Sequence, residues 1–341
     1  MIIRARAPLR IGLAGGGTDV SPYSDIYGGA ILNATISIYA HATIIPDHSE
    51  RITLESLDLN ESMSLRKTRR IPIDGNLDLI KGCHNNIFSQ LKGKLPSYGI
   101  STYVDVPKGS GLGASSTVTV AMVGAYGEWL NLPMGEYDIA RRAYEIERKD
   151  LKISGGKQDQ YAATFGGFNF MEFYKDDKVI VNPLRIKPEY INELELNILL
   201  YYTGTSRLSS TIIEKQAFNF TGKKEQSLDA AHHLKEQAVL MKEALLTGNL
   251  KSIGELLDYG WQQKKKTATG ISNPLIDEIY ELALKNGATG GKISGAGGGG
   301  FIMLYAPGNN RYKVIKALEP MGGIFKPFNF VKQGMTSWTI K

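Results

Sequence analysis

The sequence predicts an α+β protein with two domains, at 1–185 and 186–341. Its 341 residues are enough for two domains of ordinary size, and 42% apolar with 22% charged residues is typical of a folded globular chain. In the first half, period-two alternation at 100–106 indicates a half-buried strand. In the second half, long helical patterns at 225–247 and 249–266 precede short strands. We therefore expect two α+β domains that face a shared cleft.

The first domain alternates strands with glycine loops and helices. A strand at 2–7 leads into the first glycine loop, and a strand-rich stretch covers 30–45. After the second glycine loop, apolar residues recur at helical spacing through 118–129. A further helix is predicted at 135–148, and glycines at 155–156 break it. The remaining predicted elements are a short helix from 158, an aromatic strand at 168–173 and a polar interdomain connection at 175–188.

The second domain begins with a strand in which Leu194, Leu196, Ile198, Leu200 and Tyr202 alternate. The two long helices come next, followed by a helix that ends at Gly287, with Ser272 as its expected N-cap and Pro274 close behind. The elements predicted after it are strands at 291–294 and 301–305, a helix at 311–319 and a last strand.

Composition excludes several classes of function. No run of about 18 apolar residues exists, and we expect a cytoplasmic protein with no membrane partner. Cys83 is the single cysteine, so neither an intramolecular disulfide nor a cysteine-based metal site is available. The net charge of +6 suits anionic small molecules, but the basic run at 66–70 lacks interleaved aromatic residues and is typical of a solvated turn. We expect no nucleic-acid partner; a homodimer is left open.

Three glycine-rich segments with polar residues carry most of the functional information. They lie at 8–19, 107–116 and 292–300. The middle segment has neither the Gly-Lys-Ser/Thr ending of a Walker A loop nor the Gly-x-Gly-x-x-Gly spacing of dinucleotide folds. It joins a strand to a helix, so its backbone N–H groups would point at an anion. Together the three segments predict a phosphate site beside a second substrate.

Residues near these segments could complete a phosphoryl-transfer site. The hydroxyls of Ser115 and Ser116 could bind a phosphate oxygen or a metal ion, or Ser could simply cap the helix. Two acids follow the middle segment, Glu147 and Asp159; the alternatives are a solvated ion pair for the first and a helix-capping acid for the second. Phosphoryl transfer needs a phosphate cradle, oxygen ligands for Mg²⁺ and a cation near the transferring group. Arg10 and Lys157 are the candidates for that cation; the alternative for each is an ordinary surface base.

The three segments resemble, in order, the three motifs of the GHMP kinases. Residues 107–116 are similar to the signature Pro-x-Gly-Ser-Gly-Leu-Gly-Ser-Ser, with Ala114 where the first serine usually stands. The resemblance covers essentially the whole chain. It implies an N-terminal α/β domain of ribosomal-protein-S5 type, a ferredoxin-like C-terminal domain and an ATP site in the cleft between them.

The same resemblance implies the roles of individual residues. Asp159 would take the proton from the acceptor hydroxyl, and Arg10 would stabilise the ionising hydroxyl and the transferring phosphoryl. Ser115 and Glu147 would hold Mg²⁺. The residues that would wrap the ATP phosphates are Lys108, Gly109, Ser110, Gly111, Leu112, Gly113, Ala114, Ser115 and Ser116. The residues of the third motif that would close over the substrate are Ser294, Gly295, Ala296 and Gly297.

The first motif narrows the substrate. Galactokinases have Gly-Glu-His-Thr-Asp where this chain has Gly-Gly-Gly-Thr-Asp at 15–19, so galactose is not favoured. Together with 155–163 and 202–207, this segment resembles the branch of the family that phosphorylates the anomeric hydroxyl of a heptose 7-phosphate on the way to bacterial surface polysaccharides. The substrate residues expected are Gly16, Gly17, Thr18, Asp19, Lys157 and Arg207, the last two for the existing phosphate.

Three alternatives remain open on the sequence alone. Another sugar 1-kinase, such as an L-fucose kinase, would share the glycine-rich first motif. An enzyme of the mevalonate group is disfavoured because Thr18 and Asp19 suit a polyhydroxylated ligand. A silent nucleotide-binding protein could keep the fold without activity, since fold alone does not confer function.

Overall fold

A large, mainly antiparallel sheet organises the first half of the chain. The computed structural model describes residues 1–205 and 209–341. The elements of this half are β1 (Ile2–Ala14), α1 (Tyr23–Tyr27), β2 (Gly29–Asp47), β3 (Arg51–Ser56), β4 (Glu61–Arg66), α2 (Asp78–Gln90), β5 (Ser97–Val104), α3 (Ala114–Leu130), α4 (Glu136–Glu145), α5 (Gln158–Phe165), β6 (Phe168–Phe173) and β7 (Val179–Pro183).

The sheet is built around β1 and β2, which pair over most of their lengths. Strand order runs β1-β2-β5-β3-β4, with β6 on β2 and β7 on β6; the only parallel pair among the described strands is β3 with β5. Helix α3 packs on β1 and β2. Residues Ser116 to Tyr126 of this helix are all buried, so it is a central helix whose apolar residues face neighbours on every side. The main core therefore lies directly under the middle glycine segment.

The second half contains a smaller sheet covered by helices. Its elements are α6 (Pro188–Asn197), β8 (Ile198–Tyr202), α7 (Ser209–Thr221), α8 (Glu225–Thr247), α9 (Ser252–Thr267), α10 (Pro274–Lys285), β9 (Gly290–Ile293), β10 (Phe301–Tyr305), α11 (Asn310–Leu318), β11 (Ile324–Phe325) and β12 (Thr336–Ile340). The small sheet is antiparallel in the order β11-β8-β10-β9. In chain order this is 4-1-3-2, the strand order of a ferredoxin-like layer, as predicted.

The C-terminal segment crosses back to the first sheet. Strand β12 pairs antiparallel with β1, where Arg4 faces Trp338 across the pair. Just before it, Ser37 N–H donates to the carbonyl of Asn329, and Gly167 N–H donates to that of Val331. The predicted division at 185/186 separates the two sheets, but it leaves out this return of the last residues to the N-terminal domain.

Three local predictions were wrong. Leu194 and Leu196 lie in α6, not in a strand, because Pro188 starts a helix there and β8 begins only at Ile198. The predicted connection at 175–188 contains β7, which forms a hairpin with β6. The N-cap of α10 is Asn273, whose side chain accepts from Ile276 N–H at 3.0 Å, while the Ser272 hydroxyl donates to Asp277.

Two features noted in the composition, the single cysteine and the lack of a long apolar run, have counterparts in the structure. Cys83 is buried and unpaired, and burial raises the pKa of its thiol well above 9. Within the described residues, no helix has both the length and the apolar character needed to cross a membrane.

Candidate active site

The middle glycine segment forms a loop at the start of α3, which we call the phosphate loop after the role predicted for it. Gly109, Gly111 and Gly113 all have positive φ values, of 78°, 82° and 80°, and α3 begins at the next residue. The unpaired N–H groups of the first helical turn therefore open onto this loop. The hydroxyl of Ser110 is buried and has no hydrogen-bond partner in the described part of the chain. An unsatisfied buried hydroxyl in such a loop indicates a ligand that completes its hydrogen bonding.

The third glycine segment closes against this loop, backbone to backbone. A Cβ atom on Gly111 would lie only 2.3 Å from the carbonyl oxygen of Ser294. The Ser294 hydroxyl donates to the carbonyl of Gly111 at 3.1 Å, and Phe301 N–H donates to the carbonyl of Ser110 at 3.0 Å. The two sheets thus meet at the phosphate loop, as a cleft between two domains requires.

Arg10, in the second half of β1, contacts both of these loops. Its guanidinium is 4% exposed and donates through Nη1 to the carbonyl of Gly111 at 2.7 Å. The same nitrogen lies 3.5 Å from the hydroxyl of Ser294. Through Nε and Nη2 it holds one carboxylate oxygen of Asp159, at 2.7 and 2.6 Å. Two charge-assisted hydrogen bonds from one guanidinium restrict how the two side chains can be oriented. Because Arg10 also binds Gly111, both Arg10 and Asp159 are fixed relative to the phosphate loop.

Asp159 keeps its second oxygen available. Both bonds from Arg10 end on Oδ1, and no hydrogen bond from residues 1–205 or 209–341 reaches Oδ2. A Cβ on Gly113 would lie 3.2 Å from Oδ2, so this oxygen faces the start of α3. The side chain is 21% exposed, which leaves it open to the cleft. The structure therefore brings together the two residues that were assigned to catalysis.

A hydrogen-bonded network holds the expected metal ligands. The Ser115 hydroxyl donates to Glu147 Oε1 at 3.2 Å. Gln160 donates from Nε2 to Glu147 Oε2 and, at 3.0 Å, to the hydroxyl of Ser116. Glu147 lies in a π-helical turn, Ile146–Asp150, that extends α4, and its side chain is 1% exposed. Such turns are frequent at functional sites because they re-aim a side chain out of the regular helix.

This pair of oxygens fits a Mg²⁺ ion that is also bound by substrate. Adjacent ligands of an octahedral Mg²⁺ are about 3.0 Å apart for metal–oxygen distances of about 2.1 Å, close to the observed separation of Ser115 and Glu147. Within the described ranges, no group of three or more His, Cys, Asp or Glu side chains could hold a metal alone. Mg²⁺ in kinases uses one or two protein ligands together with phosphate oxygens and water, so the donor set fits.

The first glycine segment is organised by Thr18 and Asp19. The Thr18 hydroxyl lies 2.9 Å from the carbonyl oxygens of Gly15 and Ala30 and accepts from Ala30 N–H, so it is engaged by the backbone. Asp19 Oδ2 accepts from the N–H groups of Lys157 and Gln158, at 2.8 and 3.1 Å. It satisfies two free donors at the start of α5 and so positions Asp159 one residue further on. Thr18 and that oxygen of Asp19 therefore have structural partners.

Of the two residues predicted to hold the existing phosphate, the structure describes Lys157, which is already paired with acidic side chains. The ammonium of Lys157 lies 3.2 Å from both Asp25 and Asp177, and its side chain is 2% exposed. Two carboxylates already neutralise it, so it has no charge to offer a phosphate. Arg207 lies outside the described residues. Lys108, assigned to the nucleotide phosphates, is exposed at the edge of its loop.

Two buried lysines beside the first segment were missed in the sequence. Lys264 in α9 is 4% exposed and Lys292 in β9 is 7% exposed. Burial lowers the pKa of Lys264 to about 8, against the opposing effect of Asp19. Burial, and then the charges of Lys264 and Arg10, lower the pKa of Lys292 to about 7. Lys292 is the first residue of the third glycine segment, but no role was predicted for it from the sequence. Lys264 belongs to a run of three lysines, and nothing in that run indicates that one of them is buried.

The fold and this cleft are those of a small-molecule kinase. In such enzymes, backbone N–H groups and fixed charges position the phosphoryl group that is transferred. The chain belongs to the GHMP kinase family: the GHMP kinases N terminal domain matches residues 78–167, and the GHMP kinases C terminal domain matches residues 241–321. The predicted family and fold class are thereby confirmed.

Individual relatives indicate which kind of GHMP kinase the chain is similar to. The chain is 47% identical, over 99% of its own length and 99% of the relative, to a Campylobacter jejuni protein named D-glycero-alpha-D-manno-heptose 7-phosphate kinase. The crystal structure of a D-glycero-D-manno-heptose 1-phosphate kinase from Bacteroides thetaiotaomicron has a TM-score of 0.86 and 43% identity, with 99% of both chains covered. An L-fucokinase/L-fucose-1-P guanylyltransferase of Bacteroides fragilis is 27% identical over 89% of this chain and 34% of that protein.

Proposed function

We propose that this protein transfers the γ-phosphoryl group of ATP to the anomeric hydroxyl of D-glycero-α-D-manno-heptose 7-phosphate, giving the 1,7-bisphosphate. The observation that carries the proposal is the Arg10–Asp159 pair, which lies where the phosphate loop meets the third glycine segment. The substrate follows from full-length identity of 47% to a relative whose name states that sugar phosphate.

The chemistry assigns Asp159 as the proton acceptor. Its free Oδ2 takes the proton of the C1 hydroxyl while the C1 oxygen bonds to the γ-phosphorus. The bond from that phosphorus to the β–γ bridging oxygen breaks, and ADP leaves with that oxygen. Arg10 keeps the carboxylate of Asp159 oriented through Oδ1 and offers positive charge to the transferring group. Such a fixed cation contributes about 2 to 4 kcal/mol to the transition state.

The remaining residues position ATP. The N–H groups of 109–116 bind its phosphates, and the Ser110 hydroxyl gains the partner that it lacks. Ser115 and Glu147 would hold Mg²⁺, which would neutralise charge on the phosphates. Gln160 fixes Glu147 through its second oxygen. We assign the protein to the cytoplasm, where ATP and sugar phosphates are available, and its product to the synthesis of nucleotide-activated heptose for surface polysaccharides.

The test is ADP release from Mg-ATP with a panel of acceptors. The panel contains D-glycero-D-manno-heptose 7-phosphate, the corresponding 1-phosphate, D-mannose, L-fucose and D-galactose. The 1-phosphate is included because the names of the relatives differ in where they place the phosphate. We expect turnover with the 7-phosphate, and loss of at least about a thousandfold in Asp159→Asn with ATP binding kept.

The matched control is Asp176→Asn. Asp176 is an exposed acid in the turn between β6 and β7, so the same loss of charge there should leave turnover unchanged. Turnover on L-fucose alone would keep the kinase chemistry and replace the substrate. Turnover on the 1-phosphate alone would reverse which end of the sugar is phosphorylated. ATP binding without turnover on any acceptor would indicate a silent nucleotide-binding protein.

A further inference from the structure

Two buried lysines lie beside the first glycine segment, and no function has been assigned to this cluster, which we call the cationic pocket. Its cations are Lys264, near the end of α9, and Lys292, on β9. Both come from the C-terminal domain and both reach the partly exposed Gly16 and Gly17 of the N-terminal domain. The pocket therefore exists only where the two domains meet.

The two ammonium groups differ in their partners. Lys264 donates from Nζ to the carbonyl of Gly16 at 3.0 Å. Lys292 has no hydrogen-bond acceptor and no acidic partner anywhere in 1–205 or 209–341, although it is more than nine-tenths buried. A buried cation without a partner is costly, and it is retained where an anion completes the site. The lowered pKa of Lys292 has the same physical origin.

The glycines of the first segment provide the space for these groups. A Cβ on Gly17 would lie 2.7 Å from Lys264 Nζ, and the φ of Gly17 is +103°. A Cβ on Gly16 would lie 3.6 Å from Lys292 Nζ. A side chain at Gly17 would collide with the Lys264 ammonium, and one at Gly16 would contact the Lys292 ammonium. The Gly-Gly-Gly sequence at 15–17 and the two lysines thus form one structural unit.

We propose that Lys264 and Lys292 bind the phosphate that the sugar already carries, and that this pocket selects a phosphorylated sugar over a free one. The proposal rests on the proposed function for the identity of the sugar. Arg10 is assigned to the transferring phosphoryl because it contacts the phosphate loop at Gly111, and the lysines are assigned to the sugar phosphate because they contact the first segment at Gly16 and Gly17. Lys292 is nevertheless near enough to Arg10 for the charge of Arg10 to lower its pKa. In this assignment the anomeric end of the substrate lies at Asp159 and its phosphate lies at the lysines.

The first test is steady-state kinetics of Lys264→Met and Lys292→Met. Methionine keeps the length of the aliphatic stem and removes the charge. We expect KM for heptose 7-phosphate to rise about 30-fold or more, with kcat and KM for Mg-ATP within about threefold of the parent. With unphosphorylated D-glycero-D-manno-heptose, kcat/KM should change less than about threefold. Lys266→Met is the matched control, because Lys266 is exposed on the same helix.

A second measurement tests the pocket without turnover. With Mg-ADP in excess to occupy the phosphate loop, inorganic phosphate should raise the Tm of the parent protein and of Lys266→Met, and this rise should be lost in Lys292→Met. The proposal would be overturned if phosphate raised the Tm of Lys292→Met as much as that of the parent. It would also be overturned if the lysine substitutions raised KM for Mg-ATP and left KM for the sugar phosphate unchanged. If the parent does not turn over heptose 7-phosphate, the proposed function fails, and the phosphate titration still decides whether the lysines form an anion site.

Discussion

Replacing Lys292 by methionine should stabilise the ligand-free protein, and the gain should depend on pH. Burial, with the charges of Lys264 and Arg10, lowers the pKa of Lys292 from 10.5 to about 7 in the folded protein. At pH values between about 7 and 10.5, Lys292 is protonated in the unfolded chain and neutral in the folded chain. The contribution of this residue to the free energy of unfolding therefore rises with pH across that window and is least favourable below pH 7.

The magnitude follows from the two pKa values. At about 1.4 kcal/mol for each pH unit, the fall from 10.5 to about 7 corresponds to about 5 kcal/mol as an upper bound. Replacement of buried charged groups by apolar ones has stabilised other proteins by about 1 to 4 kcal/mol, so we expect about 2 to 4 kcal/mol here below pH 7. For 341 residues, each kcal/mol changes Tm by about 1.4 °C. The expected gain is about 3 to 6 °C at pH 6.5, and it should vanish by about pH 10.5.

The assay is scanning calorimetry of the parent and Lys292→Met from pH 6.5 to 10.5, in buffers free of phosphate and sulfate. Anions must be absent because they would bind the parent and raise its Tm. Lys285→Met serves as the control, since Lys285 is exposed at the end of α10 and its replacement should shift Tm little at any pH. A Lys292→Met protein that is less stable than the parent at pH 6.5, or a difference in Tm that does not change with pH, would refute the reasoning.

Two further predictions concern the metal ligands and the phosphate loop. Glu147→Gln should raise the Mg²⁺ concentration for half-maximal rate by about tenfold or more and lower kcat, while KM for the sugar changes little; the reverse order, measured in Mg²⁺ titrations, would remove Glu147 as a ligand. Gly111→Ala should raise KM for ATP and lower Tm, because its Cβ would meet the Ser294 carbonyl at 2.3 Å. Gly93→Ala is the control, since Gly93 also has positive φ but nothing within 4 Å, so it should lose stability without changing KM for ATP. Equal effects of the two substitutions on KM would show that backbone strain alone explains the first.

Local patterns predicted the long helices well. The apolar periodicity over 225–247 matches α8 residue for residue, because a helix of this length gives many turns over which the pattern repeats. Short apolar runs were less informative. The alternation from Leu194 to Tyr202 is shared between α6 and β8, since two residues of alternation fit the end of a helix as well as a strand.

Long-range pairing was out of reach of local patterns. Strand β12 was expected as a last strand, yet nothing in its sequence selects β1 over a strand of its own domain. The same is true of Asp19, whose carboxylate was expected to bind sugar hydroxyls. Its contact with the N–H groups of Lys157 and Gln158 joins residues more than a hundred positions apart. Contacts between residues so far apart in sequence depend on how complete strands and helices pack against one another.

By itself, the sequence determined the fold class, the family and the types of residue available for phosphoryl transfer, because glycine segments and helical periodicity are local properties of the chain. Only the tertiary structure decided which charged side chains are available to bind a ligand. Lys157 is neutralised by two acids, whereas Lys264 and Lys292 are buried beside Gly16 and Gly17. The physical reason is that the effect of a charge depends on its burial and on its neighbours, and both are set by the packing of α9 and β9 against the other domain.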